Sequence, residues 1–324
     1  MRSNHQKQYL ILLFTIAVFL FISCGKDSEV FTAYDPTGNI EDFFTETDLP
    51  VQEFTGNASN GILIKTENNT FIDIPSNILV DDQGNIVTDG VEIEVIEIFE
   101  KSDMVLLNKP TMTKNDYLIS RGEFFIKVKK NGKELKVKDG YKYKMYVPNK
   151  EPDPEMELFY GNVDSGTLIW EEAEGDQRDN IRVNEWQLQD SSNIYFDFGY
   201  ELFCDKFTWI NIDKYNDIPD EDKTSVCVEL PEELYSPQNT VVFMVLKNEY
   251  SVVAFSPDAD TKRWCEPYGM VPKGWEVFII TISSLGDDVY HFGIVEATIT
   301  ENDVFTIIPE EKTFEEIKTI LESL

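Results

Sequence analysis

Val91-Glu92-Ile93-Glu94-Val95-Ile96-Glu97-Ile98 decides the fold class. Through Val95, apolar and acidic residues alternate strictly. A period of two places Val91, Ile93 and Val95 on one face and Glu92 and Glu94 on the other, the signature of a half-buried strand. A helix would spread the same three apolar residues around its circumference.

The pattern continues on both sides. Gly61–Lys65 and Thr70–Pro75 are short apolar runs separated by Glu67-Asn68-Asn69. Asp81–Asn85 has the chemistry of a turn, because Asp, Asn and Gly tolerate turn angles. Phe124–Lys130 and Leu135–Lys138 flank Asn131-Gly132, a strong short hairpin signal since both residues accept positive φ. Tyr141–Val147 adds another strand, and Pro148, Pro152 and Pro154 then interrupt the pattern. These runs predict a β-sandwich over 51–150. Residues 151–204 read as a connecting β segment, with hairpin strands at 156–161 and 168–170, a long polar loop over 171–184, and a strand at 194–198.

A second β-sandwich with a helix is expected over 205–324. Its strands are predicted at 208–212, 224–230, 240–246, 251–255, 276–283, 290–299 and 304–308. Turn signals recur at Pro231, Pro237, Pro257-Asp258, Pro272-Lys273-Gly274 and Gly286-Asp287-Asp288. That density of strands suits an immunoglobulin-like sandwich. Thr313-Phe314-Glu315-Glu316 is a capping box. Phe314, Ile317, Ile320, Leu321 and Leu324 then share one face of a short C-terminal helix. The fold class expected is all-β: two β-sandwich domains of immunoglobulin type with that helix.

The first residues have a different character. Arg2, His5 and Lys7 precede an uncharged apolar run, Tyr9–Ile22, too short to cross ~30 Å of hydrocarbon comfortably. It has the flanks of a signal peptide. The run ends in Phe21-Ile22-Ser23-Cys24-Gly25, which resembles the lipobox of bacterial lipoproteins, although Phe21 stands where Leu, Val or Ile is usual. The resemblance implies a signal peptide over 1–23, cleavage before Cys24, and lipid on that cysteine. Residues 24–50 read as an acidic tether, in which Phe43 and Phe44 are placed to dock or to start a helical turn. Lys26-Asp27-Ser28-Glu29 resembles the acidic tag of surface-exposed Bacteroidota lipoproteins. It implies an outer-membrane address, at the cell surface rather than the periplasmic face.

Several stretches in the body are similar to tandem modules of uncharacterised Bacteroidota envelope lipoproteins. They are Ile72-x-Ile74-Pro75, Asp82-x-Gly84-x-x-Val87, Val91-Glu92-Ile93, Gly122-x-Phe124-x-Ile126, Trp209–Tyr215, Pro272-x-Gly274-x-x-Val277 and Glu315-Glu316-Ile317. The resemblance implies fold and address, and brings no activity with it.

The chain has 324 residues, 42% of them hydrophobic and 13% aromatic, enough for real cores. It carries 28 basic and 60 acidic residues, a net charge of −32. Such a surface repels phosphate backbones, so nucleic acid is not an expected partner. Besides Cys24 there are Cys204, Cys227 and Cys265, an odd number with no C-x-x-C spacing. At most one internal disulfide can form, between a pair that spacing does not identify.

Catalytic motifs are sparse. Beyond the leader the one histidine is His291, and there is no P-loop, H-E-x-x-H or G-x-S-x-G. No catalytic residue and no cofactor is expected, and the chain reads as a non-enzyme. With sixty acids, carboxylate pairs alone make a hydrolase only a trailing alternative. Asp213, Asp217, Asp220 and Asp222 are weak Ca²⁺ candidates, because their loop lacks the EF-hand glycine and terminal glutamate. Trp264 and Tyr268 are weak candidates for glycan contact. The expected role is structural or protein-binding at the envelope, with a membrane held through Cys24 and an envelope protein or glycan as partner. Glycan binding is the alternative.

Overall fold

A computed structural model describes residues 38–324, except 48, 49, 165, 166, 190, 191, 217, 235, 287 and 288. The leader, Cys24 and most of the tether lie outside the described residues. The described chain is predominantly β, and its sheets are mainly antiparallel.

Two sheets face each other across the first core. One runs, edge to edge, Gln52–Asn57, Gly90–Ile98, Leu118–Lys130, Trp209–Tyr215, Glu157–Asp164, Thr167–Glu172. The other runs Ile181–Gln189, Ile194–Cys204, Tyr143–Pro148, Phe71–Ile74, Ile62–Lys65. Ile93, Val95, Phe124, Ile126, Ile210 and Ile212 from the first sheet meet Ile72, Ile74, Met145, Tyr200 and Leu202 from the second. The alternation read from Val91 onward therefore aims Val91, Ile93 and Val95 inward, as expected.

The chain order of these sheets differs from the sequence expectation. Residues 157–172 and 181–204, read as a connecting segment, supply four strands of this first pair of sheets. Trp209–Tyr215, read as opening the second domain, lies between Leu118–Lys130 and Glu157–Asp164. The polar loop expected over 171–184 is shorter. It ends in a turn at Gln177–Asp179, and a nine-residue strand begins at Ile181.

A second pair of sheets follows. Val252–Ala254, Thr240–Leu246, Glu276–Ser284, Tyr290–Thr298 and Glu310–Lys312 form one. Ser256–Asp258, Arg263–Cys265, Val226–Glu229 and Asp303–Thr306 form the other, whose last pair is parallel. Val242, Met244, Val277 and Ile279 face Val226, Val228 and Trp264 across the core between them.

The opposite face of the five-stranded sheet is also buried, under three helices. We label them α1 (Ile40–Thr45), α2 (Lys101–Leu106) and α3 (Phe314–Leu321). Phe43 of α1 is fully buried against Tyr290 (5.0 Å between ring centroids) and Phe314 (5.2 Å). The end of the expected tether is therefore a docked helix, because Ile40 and Phe43 fill an apolar face that the sheet leaves open. Helix α3 has the predicted box: the Thr313 hydroxyl accepts from the Glu316 amide, and the Glu316 carboxylate accepts from the Thr313 amide.

Residues 99–117 join the two halves. Met112 and Tyr117 enter the second core. The Thr111 amide donates to the Val252 carbonyl (2.9 Å), and the Ser120 amide to that of Tyr250 (2.8 Å). Residues 38–324 accordingly form one compact body.

Candidate functional site

Three residue groups carry the candidate chemistry: the cysteines, the acids and the exposed aromatics. Cys227 and Cys265 are opposite one another on adjacent strands and form a disulfide. Cys204 is a free thiol, fully buried between the first two sheets. Burial pushes its pKa up to about 12, so it stays protonated and unreactive.

The two glycan candidates have structural duties. Trp264 is 3% exposed, with its ring in the second core. Tyr268 is half-buried, and its hydroxyl donates to the Thr113 carbonyl (2.7 Å). Its loop is held by Glu266, whose carboxylate accepts from the amides of Tyr268, Gly269 and Met270. Trp264 therefore offers no free stacking face, and Tyr268 is tied down at its hydroxyl.

The acidic segment 213–222 does not converge as a Ca²⁺ site. Asp213 is fully buried within a strand, whereas Asp220 and Asp222 lie on an exposed turn. Asp220 pairs with Lys223 (3.2 Å). Asp217 lies outside the described residues. Among the described residues no group of three or more His, Cys, Asp and Glu side chains could hold a metal ion.

Asp213 belongs instead to a polar cluster that sequence reading did not single out. Leu118–Lys130 and Trp209–Tyr215 pair with a bulge between Asn211 and Asp213. The bulge aligns Ser120, Glu123, Asn211 and Asp213 on one face, under the segment that joins the halves. The Ser120 hydroxyl donates to Asn211 Oδ1 (2.8 Å). Both carboxyls are fully buried. Burial raises the pKa of each well above the ordinary carboxylate range. The nearby Asp213 carboxyl raises Glu123 further, because the two cannot both ionise side by side, while Lys109 draws Glu123 part of the way back. Glycosidase chemistry needs acids that line a cleft, and these are sealed from solvent.

A groove of about 610 Å³ lies elsewhere in the first half. Tyr141 stands in its wall, 47% exposed, with Lys136, Lys138, Asp139, Glu171 and Lys206.

The most exposed apolar surface on a regular element is the hairpin of Ile181–Gln189 and Ile194–Cys204. Tyr200 and Leu202 point into the core. Two-residue periodicity carries the same face outward through Phe198, Phe196 and Ile194, where the opposing sheet no longer covers it. They are 37%, 71% and 52% exposed. On the other face, Trp186 and Tyr195 pack with Phe71 and Tyr146, which stiffens the hairpin. The I-Y-F-D-F run signalled a strand in the sequence. It gave no sign that its inward face would outrun the sandwich.

No helix among the described residues is long and apolar enough to cross a membrane. Comparison with protein families, with curated proteins and with solved structures finds no match for this chain.

Proposed function

We propose that this chain is a lipid-anchored envelope protein that docks another protein on the apolar row Ile194, Phe196 and Phe198. In this reading Cys24 holds it at the outer membrane, facing the cell exterior, as in the Bacteroidota-type lipoproteins that its motifs resemble. Its two pairs of sheets are tandem immunoglobulin-like modules, and it acts by binding rather than by catalysis.

The observation that carries the reading is the exposure of that row on a strand whose next residues are core. Adjoining exposed apolar side chains on a rigid element mark a contact surface more often than a solvated one. The test is photo-crosslinking in the full lipidated chain on its own membranes, with the probe at Phe196. Ile308, 78% exposed elsewhere, serves as the control position. A discrete crosslinked protein from Phe196 and none from Ile308 is expected, with loss of the product in Phe198→Ser. Equal yields from both positions would sink the reading.

A glycan-binding role is the second reading. It draws on the groove beside Tyr141, which offers one exposed aromatic ring with both signs of charge around it. Tyr141→Ala should then abolish retention on glycan surfaces. The sealed pair Glu123 and Asp213 gives a hydrolase reading no support.

A further inference from the structure

The sheet that carries the apolar row has an open side. Ile181–Gln189 is its outermost strand, and at nine residues it is the longest sheet-end strand among the described residues. Its hydrogen-bond phase follows from one contact, the Phe203 amide donating to the Asn180 carbonyl (2.8 Å). Antiparallel partners alternate between bonded and non-bonded pairs. Arg182, Asn184, Trp186 and Leu188 therefore turn their backbone groups to the neighbouring strand. Val183, Glu185 and Gln187 turn theirs outward.

The same three residues have exposed side chains on the face of the apolar row. In register, Glu185 lies opposite Phe198, Gln187 opposite Phe196, and Gln189 opposite Ile194. A free hydrogen-bonding edge and an apolar face thus adjoin. Proteins commonly blunt such an edge with proline, a bulge or lysine. This strand contains no proline or lysine, and its register with its neighbour is unbroken.

We propose that the edge Val183–Gln187 receives an extended, cationic segment of a second protein as an added strand. Its alternate apolar side chains would lie beside Phe196 and Phe198. The inference rests on the docking reading above and names the form of the partner. Backbone pairing supplies affinity in this mode and alternate side chains supply specificity. A helix would leave the outward amides of Val183, Glu185 and Gln187 unmet. Charge selects the occupant: Glu185 is exposed on the face of the apolar row and Asp197 on the opposite face of the same hairpin, on a chain of net charge −32. Of the cations close by, Arg182 donates from Nε to the Arg178 carbonyl (2.9 Å), and Lys65 Nζ lies over the Tyr195 ring (5.1 Å) on the opposite face. A second copy would bring like charge against like, whereas a strand bearing Lys or Arg is drawn in.

The test uses the full chain and three synthetic probes. One peptide alternates Val and Lys, one alternates Val and Glu, and one carries Leu and Lys at helical spacing. The Val/Lys peptide should bind and slow amide exchange at Val183, Glu185 and Gln187. Glu185→Pro removes one outward donor and leaves the ladder intact, so it should weaken binding tenfold or more with an unchanged melting temperature. Glu185→Gln, which removes only the charge, should weaken it less. Should Glu185→Pro disturb the fold, the exchange pattern of the unaltered protein decides alone. Binding without protection of these amides, equal binding of the helical or Val/Glu peptide, or self-association through this edge would each overturn the proposal. If Phe196→Ser abolishes binding and Glu185→Pro does not, the docking face stands and the added strand falls. Binding indifferent to both removes the docking reading as well.

Discussion

Glu123 and Asp213 sit on neighbouring strands and point to the same side of the sheet, and both carboxyls are fully buried there. Burying an ionised carboxylate is costly enough that the group keeps its proton instead. Both groups are raised in the folded chain, whereas unfolding returns them to the ordinary range near ~4. The folded state then binds more protons than the unfolded state between those limits. Their contribution is fully present below the ordinary range and is lost as pH rises towards the raised values. The slope is at most about 1.4 kcal/mol per pH unit for each group. Asp213→Asn cannot ionise, so its stability relative to the natural protein should improve from pH 5 to pH 8 in urea titrations. A constant difference across that range would refute the buried-acid account.

Cys227–Cys265 closes a loop with a sequence separation of 38. Loop-closure entropy for that length corresponds to about 3–4 kcal/mol. Cys227→Ser with Cys265→Ser should lower stability by that order in denaturant titrations. Cys204 should resist maleimide in the native protein and react after unfolding, since its buried thiol is held protonated. Rapid native labelling at Cys204 would contradict its place in the core.

Helix α3 is fastened at its start by the Thr313–Glu316 box and along its length by Ile317, which is fully buried. Thr313→Ala should cost about 1 kcal/mol. Ile317→Ala should cost about 2–5 kcal/mol, because it leaves a cavity between the helix and the sheet. Thermal unfolding of the two variants should rank them in that order.

Added Ca²⁺ should move the melting temperature little, because Asp213 is buried away from the turn that carries Asp220 and Asp222. A rise of many degrees would mean that these acids gather after all. Cys24→Ser should abolish lipid labelling and release the protein from membranes, and unchanged labelling would remove the anchor.

Local signals were legible in the sequence wherever the structure is local. Alternation over Val91–Val95, the turn at Asn131-Gly132 and the capping box at Thr313 each depend on residues a few positions apart. Partner choice was not legible. Trp209–Tyr215 shows the pattern of a strand, yet nothing within it says that Leu118–Lys130 and Glu157–Asp164 lie on either side. The prolines after Val147 looked like a domain boundary, but the chain turns there and returns to the same core. Helix α2 carries no legible signal, because six residues are too few to display a helical period and its Met104, Val105 and Leu106 are all buried. The exposed row at Phe196 was hidden for a related reason. Strand periodicity reports which way a side chain points and is silent on how far the facing sheet extends.

The contact between Phe43 and Phe314 also bears on timing. A ring near the start of the folded body meets one near its end, and both cover the five-stranded sheet. That sheet cannot be sealed on its helical side until the turns of α3 have been made. Contacts of such long sequence range make for slow folding. Until then the sheet's apolar face stays open, and a truncation that removes α3 should leave a sticky, protease-sensitive product rather than a slightly smaller version of the same protein.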